Sequence, residues 1–217
     1  MKTVDGKLFN SVDEEFDRDV VVTEVVGEKS IKWNNFKAED VVISCKKNCK
    51  EVAISLDGGV IDGNLTINGL KQELNKIKIV NVQAKKISIY NVQAKKIEIT
   101  GNIGNIEIIN SDANDYHICG EIKNSIFLLR SGSRTSLFEI NGCANSLKLK
   151  NVIANKFKIV SFEYNQIRGE DINIQELYLP TDWSINLNRI DVKNLYLFKD
   201  NKATGTIHNL RNAVLEF

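Results

Sequence analysis

A ten-residue unit repeats without interruption between residues 76 and 100, which read KIKIVNVQAKKISIYNVQAKKIEIT. Its core, NVQAKKI, occurs twice word for word, and related units occur at residues 30–44 and 147–160. A fixed short period indicates a chain that stacks one structural unit on the next. No other feature of the sequence constrains the fold as strongly.

The apolar residues of the repeat fall at alternating steps of two and three. A flat strand would keep a step of two, and a helix would step three and four. The alternation therefore predicts extended segments that turn a corner every five residues or so and face one interior. The apolar residues of the repeat are Ile77, Ile79, Val82, Ala84, Ile87, Ile89, Val92, Ala94, Ile97 and Ile99.

This pattern predicts an all-β fold, a right-handed parallel β-helix (β-solenoid) with about 20 residues per coil and a short N-terminal cap. Paired apolar positions continue from Ile31/Trp33 through Ile126/Leu128 to Leu195/Leu197. We assign residues 1–28 to the cap and residues 29–217 to the solenoid. The cap begins with a capping-box pattern, and the apolar C-terminal tail either caps the other end or contacts a partner.

Within the repeat, Ile87 is expected in the interior and Ser88 on the exposed outer face. Asn or Gly recurs four residues after the first strand residue of each unit, and both tolerate the left-handed conformation that a corner needs. The alternative fold, an antiparallel meander, would require hairpin turns at NVQAKK, which lacks the favoured turn pairs. The predicted corner residues are Asn35, Asn81, Asn91, Gly101, Asn110, Gly120 and Asn151.

The five-residue sub-period resembles that of pentapeptide-repeat proteins over residues 30–160. The resemblance implies a square right-handed β-helix. In this chain Ile79, Ile89 and Ile99 alternate with Ala84 and Ala94 at the central position of the unit. Some members of that family mimic DNA with a strongly acidic surface, whereas this chain has a net charge of +1.

The segment LDGGVIDGN at residues 56–64 resembles a stretch of parallel β-helix polysaccharide hydrolases and lyases. The resemblance implies that Asp57 and Asp62 are catalytic carboxylates. Asp-Gly is also an ordinary turn sequence, and we favour the interpretation as a turn.

Histidines and cysteines are too dispersed to predict a reactive site. The CKKNC pair, Cys45 and Cys49, has the spacing of zinc ligands, and His117 lies two residues before Cys119. Because Cys49 and Cys119 are separated by several coils, we expect them ~17 Å apart along the solenoid at the spacing of stacked strands. We therefore predict reduced thiols, and no catalytic, metal or cofactor site.

The bulk composition excludes several classes of partner. A net charge of +1 gives no overall attraction to nucleic acid, and no apolar run approaches the ~18 residues of a membrane span. The charged first residues, MKTVDGKLFNSVDEEFDRD, contain no apolar signal segment, so the expected location is the cytoplasm.

These features predict a non-catalytic protein that presents a rigid solenoid face to a protein partner, as an inhibitor or scaffold of host or phage origin. The predicted contact residues are Lys76, Lys86, Lys96 and Tyr90, of which Lys76 and Lys96 lie one coil apart. Two alternatives stay open: a structural protein that polymerises through its solenoid ends, and an acidic-polysaccharide lyase or hydrolase at Asp57 and Asp62. Cys143 and His208 have no role in any of the three.

Overall fold

A computed structural model describes most of the chain and assigns strands, and no helix, to the residues it describes. These residues are 2–3, 10–12, 20–25, 30–45, 52–69, 73–128, 135–143, 146–160, 166–181, 184–199 and 202–216. The predicted all-β fold is confirmed. Within this part of the chain no helix has the length and apolarity to cross a membrane.

In the described part of the chain sixteen strands form one continuous sheet that winds around the solenoid axis. Parallel coils lie about 20 residues apart, as the period predicts. The longest strands bend around corners and so contribute to two or more sides of a coil. In chain order the strands are β1 (Lys2–Thr3), β2 (Asn10–Val12), β3 (Val20–Val25), β4 (Ile31–Asn34), β5 (Lys37–Ala38), β6 (Val41–Cys45), β7 (Ala53–Asp57), β8 (Val60–Asn68), β9 (Glu73–Tyr90), β10 (Gln93–Ile109), β11 (Asp112–Leu128), β12 (Thr135–Cys143), β13 (Ser146–Val160), β14 (Gln166–Pro180), β15 (Ser184–Lys199) and β16 (Lys202–Glu216).

Each regular coil has four sides, and two side chains of each side face the interior. We name the sides by these inward residues in the best-formed coil. Side A contains Ile77 and Ile79, side B contains Val82 and Ala84, side C contains Ile87 and Ile89, and side D contains Val92 and Ala94. Sides A and C are opposite each other.

The interior consists of apolar columns that run along the axis. On side A each inward residue pairs with the equivalent residue of the next coil, so that similar side chains stack directly. The buried residues of the first column are Ile31, Ile54, Ile77, Ile97, Tyr116, Phe157, Leu177 and Leu195. Trp33, which was predicted to face inward, is fully buried in the neighbouring column. Trp183 lies outside the described residues.

Four of the predicted corner residues are asparagines with left-handed backbone. Asn35, Asn81, Asn91 and Asn110 have φ angles of 49° to 55°. The Asn110 side-chain amide donates a hydrogen bond of 2.6 Å to the Asn91 side-chain oxygen of the coil before it. Asparagine is suited to these corners because its short polar side chain tolerates this conformation and bonds locally.

Gly101 occupies a corner that no other residue could fill without distortion. Its φ angle is 144°, and a Cβ atom there would overlap the backbone carbonyl of Val82 in the adjacent coil. Gly120 repeats the arrangement one coil later against the backbone of Gly101. The prediction of Gly as a corner residue is confirmed at both positions.

The two ends of the solenoid differ in strand direction. At the N-terminal end β1, β2 and β3 pair in parallel with β3, β4 and β6. The assignment of residues 1–28 to a cap stays a prediction; most of the capping-box segment lies outside the described residues, and Ser11 lies in β2. At the C-terminal end β16 turns back and pairs antiparallel with β15, so the tail covers the last parallel coil.

One facing assignment and one strand register from the sequence need correction. Ser88 pairs with Thr66 and Glu107 in an outward column, but it is only 3% exposed. The side chains on either side of it, Lys86 and Tyr90, both reach Glu107 and enclose the serine. In β11, Phe127, and not Ile126, pairs with the inward Ile108, so the strand is shifted by one residue from the prediction.

We expect Ile87→Ala to lower the free energy of unfolding by ~2–5 kcal/mol, because it leaves a cavity in a fully buried column. Gln83→Ala, at an exposed outward position of the same strand, is the control and should change stability by less than ~0.5 kcal/mol. Urea denaturation of both variants measures the difference. Equal effects would mean that the facing assignment is wrong.

We expect Ser88→Asp to destabilise the protein by ~1–3 kcal/mol, although it lies on the outer face, because the new carboxylate would be enclosed beside Glu107. Thr66→Asp, in the same column and partly exposed, is the comparison and should cost less. Thermal melting ranks the two variants, and a neutral Ser88→Asp would contradict the enclosed position.

Candidate functional site

Lys76 and Lys96 lie side by side on side A, where they were predicted to stack. They are register partners in β9 and β10, and both ammonium groups contact Glu98, at 2.8 Å from Lys76 and 3.4 Å from Lys96. The hydrogen bond from Lys76 holds the pKa of the Glu98 carboxyl below its usual value, although partial burial opposes this. The two lysines therefore form one ion-paired cluster of three side chains.

Lys86 and Tyr90 lie on side C, opposite the first pair. The Lys86 ammonium is 2.8 Å from the Glu107 carboxylate, and the Tyr90 hydroxyl donates a hydrogen bond of 3.0 Å to the same oxygen. The hydrogen bond to Glu107 raises the pKa of Lys86. Because sides A and C face in opposite directions, a rigid flat partner cannot contact both lysine clusters at once.

An aromatic stack lies on side A toward the C-terminal end. The rings of Tyr178 and Tyr196 stack with centroids 4.6 Å apart, and the Phe198 ring is 5.8 Å from that of Tyr178. The Lys156 ammonium lies 4.8 Å from the centroid of the Tyr178 ring. The Tyr178 hydroxyl donates a hydrogen bond to Glu176, and burial together with this bond raises the pKa of Tyr178.

Sequence reasoning did not predict this stack. The available signal was the recurrence of Leu-Tyr-Leu at residues 177–179 and 195–197, one coil apart. Identical outward residues in consecutive coils stack directly in a parallel solenoid. The Tyr196 ring and the Lys156 ammonium occupy the two faces of the Tyr178 ring. The stack therefore presents ring edges and a hydroxyl outward, and not an open ring face.

Asp57 and Asp62 lie at different corners of one coil. Asp57 ends β7 on side A, where its carboxylate is 3.8 Å from the Lys78 ammonium. Asp62 is exposed in β8 at the corner between sides B and C. A whole side separates them, roughly 10–15 Å at the rise of a strand, and both point outward. Glycosidase carboxylates lie about 5–9.5 Å apart on either side of a substrate, and these two do not adopt that arrangement.

The described cysteines and histidines do not converge. Cys45 is buried on side C, whereas Cys119 and His117 lie two residues apart on side A. Neither Cys45 nor Cys119 forms a disulfide. His208 lies in β16, where its Nδ1 is 2.9 Å from the Asn194 side-chain oxygen. Within the described ranges no three acidic, cysteine or histidine residues form a metal-binding group, and Cys49 lies outside these ranges.

Two serines, Ser88 and Ser111, are buried among the described residues, and the structure explains both. Ser88 is enclosed beside Glu107, and Ser111 supports a corner. The Ser111 hydroxyl accepts a hydrogen bond from the Val92 amide and donates one to the Ile109 carbonyl. No charged residue enters the described interior.

No protein-family model, curated protein or solved structure matches this chain. The resemblance to pentapeptide-repeat proteins is therefore confirmed only at the level of a β-solenoid with a period of about 20 residues.

We expect Glu98→Gln to lower the free energy of unfolding by about 0.5–1 kcal/mol at pH 7, because Lys76 and Lys96 lose their shared partner. Since the pKa of Glu98 is lower in the folded state, its contribution is present above the unfolded pKa of about 4.3 and is lost as the pH falls through the folded pKa. Urea denaturation at pH 7 and pH 3 measures the effect.

The control for this prediction is Glu73→Gln, which changes an exposed carboxylate on side D. It should leave the stability nearly unchanged at both pH values. A Glu98→Gln effect that persisted unaltered at pH 3 would contradict the ion-pair explanation.

Proposed function

We propose that this protein is a non-catalytic interaction protein that binds a protein partner through side A. The observation that carries the proposal is the aromatic stack of Tyr178, Tyr196 and Phe198, which lies on the same flat side as the Lys76–Glu98–Lys96 cluster. Tyrosine and other aromatic residues are enriched where protein interfaces derive most of their binding energy.

The dimensions of side A suit a protein partner. Among the described residues eleven strand segments stack on this side, from β2 to β16. At ~4.8 Å per strand the side is ~48 Å long, and a width of ~15 Å gives ~720 Å². A typical interface buries ~800 Å² on each partner, so a partner could use most of the side and one of its corners.

The side chains of side A are held in place before any partner arrives. Lys76 and Lys96 are fixed by Glu98, and Lys156 lies between the Tyr178 ring and Glu176, 3.8 Å from that carboxylate. A side chain that is already ordered loses less conformational entropy on binding. Positive and negative side chains alternate on side A, so their long-range fields largely cancel. This favours recognition by direct contact over long-range electrostatic attraction.

A scaffold or inhibitor acts by such recognition, and the apolar interior supports this class over an enzyme. The ionisable groups of the described interior are the phenol of Tyr116, whose pKa burial raises, and the thiol of Cys45, and both residues are fully buried in the core. Any catalysis would have to use outward side chains. The separation of Asp57 and Asp62 argues against the polysaccharide hydrolase or lyase alternative.

We expect Tyr196→Ser to weaken binding of a partner by at least about tenfold, because a buried aromatic contact in an interface is worth ~2 kcal/mol or more. The matched control is Tyr90→Ser, which removes a half-buried tyrosine from the opposite side C. Protein retained from a native cell extract on immobilised wild type, Tyr196→Ser and Tyr90→Ser is quantified by mass spectrometry. Each candidate is then purified and titrated by calorimetry.

Proteins lost only with Tyr196→Ser would support side A as the binding surface. Loss with Tyr90→Ser alone would overturn the choice of side and move the site to the Lys86–Tyr90 cluster. Loss of all activity from Asp62→Asn at an unchanged melting temperature would overturn the non-catalytic class altogether.

A further inference from the structure

Exposed large apolar side chains are confined to the last strand in the part of the chain that the structure describes. They are Ile207, which is 37% exposed, and Val214, which is 65% exposed. Among the residues whose side chains the structure describes, the large apolar residues of the other strands are buried wholly or in part. The C-terminal end therefore differs from the sides, whose described surfaces are polar and ion-paired apart from the aromatic stack on side A.

The exposed side chains mark the place where the interior columns end. Ile207 pairs with the buried Leu195, Leu210 with Val192, and Leu215 with Leu187. Leu210 is only partly buried, since no described strand stacks beyond β16. The solenoid thus ends in an apolar plate that water reaches.

The outer edge of β16 also carries unpaired backbone groups. Among the described strands β16 pairs with β15 alone. Natural edge strands are usually guarded by charged side chains or proline. Residues 203–208, ATGTIH, contain neither a lysine, an arginine, a carboxylate nor a proline.

We propose that β16 is the interface between two copies of this chain, which pair edge to edge through residues 203–208 about a twofold axis. In the register centred on Thr206, Thr206 of each copy lies opposite Thr206 of the other, Gly205 lies opposite Ile207, and Thr204 lies opposite His208. Pairs of β-branched residues are favourable across antiparallel strands. Lys202 lies opposite Leu210, so no like charges meet.

The twofold arrangement makes the assembly a closed dimer. The same segment is used by both copies, so the interface is isologous and leaves no further edge of this kind. Each copy also covers the apolar plate of the other. The end of a coil measures roughly 200–250 Å², well below the ~800 Å² of a standard interface, so we expect dissociation in the micromolar to millimolar range.

Sedimentation velocity of the full chain from micromolar to millimolar concentration tests the dimer. Wild type should pass from monomer to dimer and no further. Ile207→Lys and Thr204→Lys each place two charges in the interface and should raise the dissociation constant at least about tenfold. Gln93→Lys, at an exposed position of a central coil on side D, is the control and should dimerise like wild type.

Hydrogen exchange locates the contact independently of the variants. The backbone amides of residues 203–208 should exchange more slowly at millimolar than at micromolar concentration, and those of residues 76–80 should not change. Thr204 is exposed, so its variant gives a result even where Ile207→Lys fails to fold.

Three results would overturn the proposal. They are a wild type that stays monomeric at millimolar concentration, species that grow beyond the dimer, and a dimer that Thr204→Lys does not weaken. Growth beyond the dimer would instead support head-to-tail stacking of solenoids, with β16 against the N-terminal coil of another copy.

Discussion

The structure depends on the direct stacking of like apolar side chains between consecutive coils. An isoleucine such as Ile87 packs against Leu65 below it and Ile106 above it, and it is fully buried although each coil is only one chain thick. No coil could bury its inward residues alone, because each side supplies only two of them. Stability therefore arises between neighbouring coils, and the repeat in the sequence is the consequence.

The stacking of inward side chains between coils also constrains the corners. If inward columns are to stay in register, every coil must turn at the same points, and in the best-formed coils alternate corners use left-handed residues. Asn81 and Asn91 meet this need at intervals of ten residues, and Gly101 meets it where the adjacent backbone leaves no room for a Cβ atom. Where a coil departs from 20 residues, the difference is absorbed without displacing the columns, as between the buried register partners Ile54 and Ile77.

The fold could be predicted from the sequence because the inward or outward direction of each side chain, and the length of the repeat, are local properties of the chain. The spacing of apolar residues, which alternates between two and three residues, assigned Ile77 and Ile99 to the interior correctly. Side-chain enclosure is not local: Ser88 is outward by its position and buried because Lys86 and Tyr90 converge on Glu107 of the next coil. Pairing of Lys76 and Lys96 with Glu98, and the stack of Tyr178 on Tyr196, depend in the same way on the register between coils. The reversal of β16 has no precedent in the repeat and was not predictable from it.

Sides and ends of such a solenoid have different physical roles. On the sides the outward residues face water on every coil, so polar and ion-paired side chains can vary there without cost to the columns, and a recognition surface can be built on side A. At the ends the columns must stop, and apolar residues such as Ile207 are exposed unless something covers them. The antiparallel turn of β16 covers the last parallel coil but exposes its own edge in turn. Specific recognition is therefore expected from the sides, and weak self-association from the C-terminal end.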